Sequence, residues 1–519
     1  MRFVLLCSLI LVSALGFSQE PRGACGTPPI DIDRLMEAKQ IAQQLRKDGR
    51  LSKMDIQVPI RYKLIGRTDS TGAASPHRVL DLMKAINAGF ASDGFKFYLA
   101  NSDGMPWDNY YDDEFYSNSG EQGVLFTNFR SSDAVSIFVP DDATPPGSSG
   151  LGVTLGYYSP SRDILVFRRS EVGIDASTAL HELGHYFSLP HTFRGWDCCF
   201  WNGLTSEDCA DPEITSPVTD LFSPCQQNTR VELVTRGEGA NCDVAGDTFC
   251  DTQADYNFGF GWPSCEYAGG VRDRNEELLN PDEDNYMGYF LGCQPYQFSG
   301  EQVDAMLGNY NSGSRDFLRQ STPDVLDSIT AEIEYVFPVD RSTIDSADQV
   351  TIDWEDVPNA MWYYVELSRQ SSFTNLVASE IVTKSNVTFT GLQGGQEYRS
   401  RVRAFNQVSF TKRPSSSQRF RTGQVSSISS PQAVSSLSVF PNPISSIADL
   451  RLIVSSATAD EAHISIIDLT GRELSRSLRA LPSGRTTIAL AHGPELPAGT
   501  YVVSIETARG ISSRKFVVH

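Results

Sequence analysis

The sequence predicts a multidomain chain in which an α/β domain, carrying a metal-binding helix, is followed by two all-β sandwich domains. Three observations carry that prediction. Strand-like and helix-like stretches alternate from Ile56 to a helix beginning at Ser177, as in an α/β unit. Two later segments, 333–422 and 437–519, hold short strands separated by turn residues. At 519 residues the chain is also too long for a single core. Its formal charge of −21 argues against nucleic acid or an anionic membrane as a partner.

Residues 1–18 read as a secretory signal peptide. Arg2 supplies the positive start, Val4 to Leu15 the apolar run, and Ala14, Gly16 and Ser18 the small residues near a cleavage point. That run is too short to span a bilayer and no later run is long enough, so no transmembrane segment is expected. Cys7 would leave with the signal. Cys25 follows in the Gly- and Pro-rich stretch Arg22 to Pro29, and Asp31 to Lys47 carries Ile32, Leu35, Met36, Ile41 and Leu45 at mostly helical spacing. Ile56 to Ile65 alternates like a strand, and His77 to Phe90 reads as an amphipathic helix. Phe95–Leu99, Val135–Val139 and Asp163–Phe167 are further strands, with a loop over Pro145 to Gly152.

The helix from Ser177 runs into His181-Glu182-Leu183-Gly184-His185-Tyr186-Phe187-Ser188-Leu189-Pro190-His191-Thr192-Phe193, which holds three of the chain's seven histidines. Four residues apart on a helix, His181 and His185 present both imidazoles from one face to a single Zn²⁺ ion. Glu182 beside them can serve as general base. His191, six residues after His185, stands where the elongated H-E-x-x-H-x-x-G-x-x-H pattern has its third ligand. Ser188 occupies the glycine position of that pattern, where the chain must leave the helix in a left-handed conformation that costs serine roughly 1 kcal/mol or more.

Beyond His191, residues 194–285 are rich in Gly, Asp, Asn and Cys and show little periodicity. Cys198, Cys199, Cys209, Cys225, Cys242, Cys250, Cys265 and Cys293 read as a disulfide framework for this loop-rich region, with pairing left open. A structural zinc site is the competing reading, disfavoured by the lack of paired C-x-x-C spacings. The acidic stretch Asp243 to Asp255 is either a Ca²⁺ loop or a solvated one. Asn285-Tyr286-Met287-Gly288-Tyr289 closes the region, and Phe298-Ser299-Gly300-Glu301-Gln302 leads to a helix through Met306 to about Leu318.

His181 to Phe193, Gly246-Asp247-Thr248-Phe249-Cys250-Asp251-Thr252, Asn285 to Tyr289 and Phe298 to Gln302 occur in the order seen in the pappalysin family of metzincins, which residues 55–320 resemble. The resemblance implies a zinc endopeptidase domain: an upper mixed sheet with an active-site helix, and an irregular, disulfide-rich lower subdomain closed by a Met-turn. Met287 matches the Met-turn methionine, and Tyr289 the tyrosine that stabilises the reacting oxyanion in similar enzymes. Calcium in the lower subdomain is common in that family. Residues 19–54 are then a propeptide. Its Arg22-Gly23-Ala24-Cys25-Gly26-Thr27-Pro28 resembles cysteine-switch segments in which a thiolate fills the open zinc position; a disulfide from Cys25 to a downstream cysteine is the alternative.

Residues 333–422 resemble a fibronectin type III sandwich, with Trp354 as a core aromatic and Tyr398 at its tyrosine corner. Ser-rich 423–436 is a linker. Residues 437–519 hold Val439-Phe440-Pro441-Asn442-Pro443, Leu469-Thr470-Gly471-Arg472 and Leu496-Pro497-Ala498-Gly499-Thr500-Tyr501. They look like the C-terminal sorting domain of the type IX secretion system. Taken together, the expectation is a monomeric bacterial enzyme, exported through the periplasm to the cell surface or medium. It would cleave protein or peptide substrates by a zinc-bound water activated by Glu182. The alternative is a surface-anchored binding or adhesion protein using the zinc domain as a scaffold.

Overall fold

The computed structural model describes residues 24–51, 56–100, 104–145, 153–197, 216–223, 226, 228–259, 264–324, 327–410, 413–424, 433–490 and 495–519; the expected signal peptide lies outside them. Two compact units make up the chain. The first takes in the described residues up to Ile344 with Asp348–Leu392 and Gln396–Thr422; the second comprises Asp345–Ala347, Gln393–Gly395 and Gly423–His519.

The first unit begins with β1 (Ala24–Cys25), α1 (Ile32–Lys47), β2 (Ile56–Gly66), α2 (Pro76–Gly89), β3 (Phe95–Leu99), β4 (Asp108–Tyr111), α3 (Asp113–Ser117) and α4 (Ser119–Asn128). Then come β5 (Val135–Val139), β6 (Thr154–Ser159), β7 (Ile164–Phe167), α5 (Ser177–Tyr186) and α6 (Gly300–Tyr310). Its mixed sheet runs β1-β6-β7-β5-β2-β3, with β4 also on β2. All pairs are parallel except β6–β7. Strands β5 and β7 are buried at every residue, which is why they read as apolar runs. The sequence reading placed most of these elements but not β4, β6, α3 or α4.

Asp31 caps α1 by accepting from the Asp33 amide, and the helix buries Leu35, Ala38, Ala42 and Leu45. Met36, expected on the apolar face, is exposed; the small Ala38 and Ala42 take that role. They sit on α6 at Gly308, where an added Cβ would lie 1.9 Å from the Ala38 carbonyl oxygen. The helix expected through Leu318 stops at Tyr310 and continues as a 3₁₀ turn over Gly313–Arg319. At its start Ser299 and Gln302 form a capping box, and Asp251 accepts from Ser299 Oγ and the Glu301 amide at 2.7 Å each.

A sandwich follows: β8 (Tyr335–Phe337), β9 (Ser342–Thr343), β10 (Gln349–Trp354), β11 (Trp362–Ser368), β12 (Leu376–Val382), β13 (Asn386–Thr390), β14 (Glu397–Phe405) and β15 (Gln418–Arg421). Its sheets are β13-β10-β8 and β12-β11-β14-β15-β9, the arrangement expected of a fibronectin type III-like module. Trp354 and Tyr398 lie in its interior with Tyr363, Val365 and Val402. Side chains alternate along β11, so Trp362 and Tyr364 point the other way. With Phe405 and Phe410 they belong to the α/β domain's own core, beside Val79, Leu99 and Trp107. Trp107 stacks on Phe405 at 5.9 Å, Trp362 Nε1 donates to the Gly104 carbonyl at 2.7 Å, and the Leu99 amide donates to the Gln407 carbonyl at 2.9 Å. Glu366, two residues past Tyr364 and 2% exposed, meets His77 Nε2 of α2 at 2.7 Å. Arg403 Nη1 lies 3.0 Å from His77 Nδ1 and Arg401 Nη2 lies 3.2 Å from Nε2, so two arginines and Glu366 close around the ring.

The second unit holds β16 (Ser436–Phe440), β17 (Arg451–Ser456), β18 (Asp460–Asp468), β19 (Glu473–Leu481), β20 (Gly484–Ala489), β21 (Gly499–Thr507) and β22 (Gly510–Val518). They form sheets β16-β17-β20 and β19-β18-β21-β22 around Leu452, Val454, Ile464, Ile466, Val503, Ile505 and Phe516. Among the described residues no helix is long and apolar enough to cross a membrane.

Candidate metal centre

Helix α5 rides on the sheet through β6 and β7 and is buried from Ala179 to Tyr186, so its two histidines are rigidly held. After Tyr186 the chain turns away at Ser188, whose φ of 71° is the left-handed conformation that position demands. Asn309 of α6 donates to Ser188 Oγ at 2.7 Å, a bond that glycine could not make and that offsets part of the conformational cost. The turn brings His191 back beneath the helix. His185 Nε2 then lies 3.1 Å from both His181 Nε2 and His191 Nε2.

The opposite ring nitrogens fix the tautomers. His181 Nδ1 meets the Tyr286 carbonyl, His185 Nδ1 the Leu189 carbonyl and His191 Nδ1 the Asp197 carboxylate, each at 2.7 Å. These partners only accept, so each Nδ1 carries the proton and each Nε2 presents a lone pair. Three converging lone pairs repel one another unless a cation lies between them. Ligands about 2.0–2.1 Å from one tetrahedral Zn²⁺ would stand roughly 3.3 Å apart, close to the observed spacing. Burial, reinforced by the neighbouring His191, pushes His181 down to about 3 despite the Tyr286 carbonyl, and carries His185 well below the usual imidazole range. Neutral imidazole is the ligating form. Among the described residues this is the one group of three or more His, Cys, Asp or Glu side chains able to hold an ion.

Glu182 is 1% exposed, and its Oε2 accepts from Thr27 Oγ1 at 2.7 Å. Thr27 in turn accepts from the Tyr158 amide of β6 at 2.7 Å, and the Gly26 amide donates to the Gly156 carbonyl. The N-terminal strand β1 thus adds to the sheet edge and delivers Thr27 to the carboxylate. Pro28, Pro29 and Ile30 continue over His185 and His191, leaving a crevice of about 10 Å³. Cys25 is on β1, its backbone paired with Gly156; its side chain lies outside the described atoms.

Met287 is fully buried under α5 at Gly184, where a Cβ would come within 2.4 Å of its sulfur; only glycine admits that packing. The Met287 carbonyl accepts from the Thr192 amide, and the neighbouring Tyr286 carbonyl holds His181. The Tyr289 ring lies 5.0 Å from His191 and 5.8 Å from His181, at the rim of the centre. The structure therefore brings His181, Glu182, His185 and His191, singled out by spacing, together with Met287 and Tyr289, singled out by the resemblance.

Two residues of the site were missed from sequence. Thr27 lies 155 positions from the Glu182 it meets, and only its place two residues after Cys25 hinted at it. Asp197 carries no spacing signal, because a carboxylate that supports a ligand can come from any neighbouring loop. Burial pushes the Asp197 carboxyl up, but hydrogen bonds from His191 and the Gly195 amide more than offset it and leave it below the usual range.

The lower region is irregular, as expected. Cys242–Cys250 and Cys265–Cys293 are bonded, which removes the structural-zinc reading for these four; Cys198, Cys199, Cys209 and Cys225 lie outside the described residues. The acidic stretch is only partly solvated. Asp247 and Asp255 are buried, which pushes their carboxyls up to about 7 and about 6 against the hydrogen bonds they accept from Phe249, Thr252, Thr192, Asn257 and Phe258.

Comparison with known proteins speaks to the two sandwiches. Residues 438–519 match the family described as the secretion system C-terminal sorting domain. No curated protein matches the chain. Among solved structures, the fn3 domain of human contactin 1 is 18% identical, covering 21% of this chain and 92% of its own, with a TM-score of 0.18. A Fn3-like protein from Clostridium thermocellum is 20% identical over 20% of this chain and 98% of its own, with a TM-score of 0.15. The chain thus ends in a type IX sorting domain, the mark of a bacterial protein that is secreted or held at the cell surface.

Proposed function

We propose that the chain is a secreted zinc endopeptidase of the pappalysin type, made as a latent precursor. The observation that supports this best is the convergence of three Nε2 lone pairs, that of His185 3.1 Å from each of the other two, beside a buried carboxylate on the same helix. His181, His185 and His191 would hold the ion. Zinc, when bound, supplies Lewis acidity, polarising a peptide carbonyl and acidifying water. Glu182 then takes the proton from the attacking water as the C–O bond forms, and returns it to the leaving amine as the C–N bond breaks. The Tyr289 hydroxyl, at the rim, donates to the developing oxyanion. In the precursor the hydroxyl of Thr27 occupies Glu182, and Pro28 to Ile30 fill the cleft where a substrate would lie. Calcium in the 243–255 loop remains part of the proposal, with no ligand assigned.

The test is casein cleavage by the processed protein with and without chelator, beside Glu182→Ala. That variant should keep its zinc and lose about 10²-fold or more in turnover. Zinc binding with equal proteolysis in both proteins would remove Glu182 from the mechanism. Zinc binding with no proteolysis in either would favour the scaffold reading.

A further inference from the structure

The three imidazoles are not supported alike. His181 and His185 ride a buried helix and donate to main-chain carbonyls of Tyr286 and Leu189, so the backbone alone sets their rings. His191 lies past the left-handed turn at Ser188, where no helix holds it. Its ring is fixed from outside by Phe193, stacked at 4.5 Å, and by Asp197 Oδ1 at 2.7 Å. Asp197 is itself anchored: its Oδ2 accepts from the Gly195 amide at 3.0 Å and from Gln226 Nε2 at 3.2 Å. Gly195 has a φ of 101°, open only to glycine at low cost, and this turn aims its amide at the carboxylate. Gln226 Oε1 accepts from Thr229 Oγ1 at 3.1 Å, which leaves its amide nitrogen to face Asp197. Thr229 thus donates to Gln226 and Gln226 to Asp197, and the same carboxylate accepts from His191, the one ligand of the three that the helix does not hold.

We propose that Asp197 is the positioning residue of the third zinc ligand and, among the described residues, the one anionic group that strengthens the metal centre through a histidine, with Gln226 orienting it. The assignment rests on the zinc reading above. A carboxylate on Nδ1 fixes the ring and makes Nε2 a better donor, and losing such a partner typically costs 10- to 100-fold in metal affinity. A hydrogen bond that merely closed the loop would leave metal affinity alone.

The experiment uses the full-length chain, stripped of metal and titrated with Zn²⁺ against a chromogenic chelator, with melting of the metal-free protein followed in parallel. Asp197→Ala should lower zinc affinity about 10- to 100-fold. Asp197→Asn keeps an acceptor for Nδ1 and so the local fold; it should fall between wild type and alanine, because only the charge is lost. Gln226→Ala, which removes one anchor, should lose the least. Metal-free melting should stay within a few degrees of wild type for Asp197→Asn and Gln226→Ala. Wild-type zinc affinity in Asp197→Ala and Asp197→Asn overturns the assignment, as does an affinity loss matched by an equal loss of metal-free stability in all three. A wild-type chain that takes up no zinc overturns the zinc reading, and this assignment with it.

Discussion

The two β-sandwiches of this chain look alike in strand count and differ in what they bury. The sorting sandwich packs Leu452, Ile464, Val503 and Phe516 into a core of its own. The fibronectin-like sandwich has an interior around Trp354 and Tyr398, but it also turns Trp362, Tyr364 and Phe405 outward into the core of the α/β domain. Half-buried His77 and buried Glu366 meet at the same face. A module is autonomous when its outward faces can tolerate water. By that measure the sorting domain is a separate body, and the fibronectin-like module is structurally part of the α/β domain.

The largest test of that contrast is truncation. A chain ending after residue 422 should fold and melt cooperatively in its first unit, yet fail to leave the cell. A chain ending after residue 332 should lose cooperative folding, because it strands the seat of Trp362, Tyr364, Phe405 and Phe410 in water. Equal melting temperatures for the two would break the contrast. Next in size come single truncations at matched burial. Phe405→Ala and Phe516→Ala each remove a fully buried ring and should cost about 3–5 kcal/mol. The first should shift melting of the α/β domain and the second should not, as calorimetry of each variant can read. The smallest effect separates the units by acid. His181 titrates near 3 when folded and near 6.5 when unfolded, so the unfolded chain binds more protons between those values. The metal-free first unit should therefore be fully stabilised above pH ~6.5 and lose about 2 kcal/mol by pH ~5 from this group. A His181→Gln variant with an unchanged acid profile would count against it.

How much of this was legible varies with the range of the interaction. The meeting of the three imidazoles was, because a helix imposes its own spacing on His181 and His185, and because a chain that must turn at Ser188 has few ways to return His191. Strands β5 and β7 were legible as continuous apolar runs. Strand β6 was hidden: Thr154 to Ser159 follows a Pro- and Gly-rich loop, and Gly156 and Ser159 interrupt any apolar run or alternation. Met36 falls at helical spacing with the other apolar residues of α1, whereas the face that packs closely on Gly308 is lined by the small Ala38 and Ala42. The docking of the first sandwich was invisible for a similar reason. Trp354 reads as a core aromatic of the sandwich, and nothing in the sequence around Trp362 says that it serves a different core.

The shared core also sets a schedule. A ribosome that has just finished the 3₁₀ turn ending at Arg319 has made every helix of the α/β domain but not the residues that complete its interior. Phe410 comes about 90 residues later, on the order of 5–20 s at common synthesis rates. For that interval the nascent domain lacks its final packing partners, and a chain bound for export gains time in which it remains threadable.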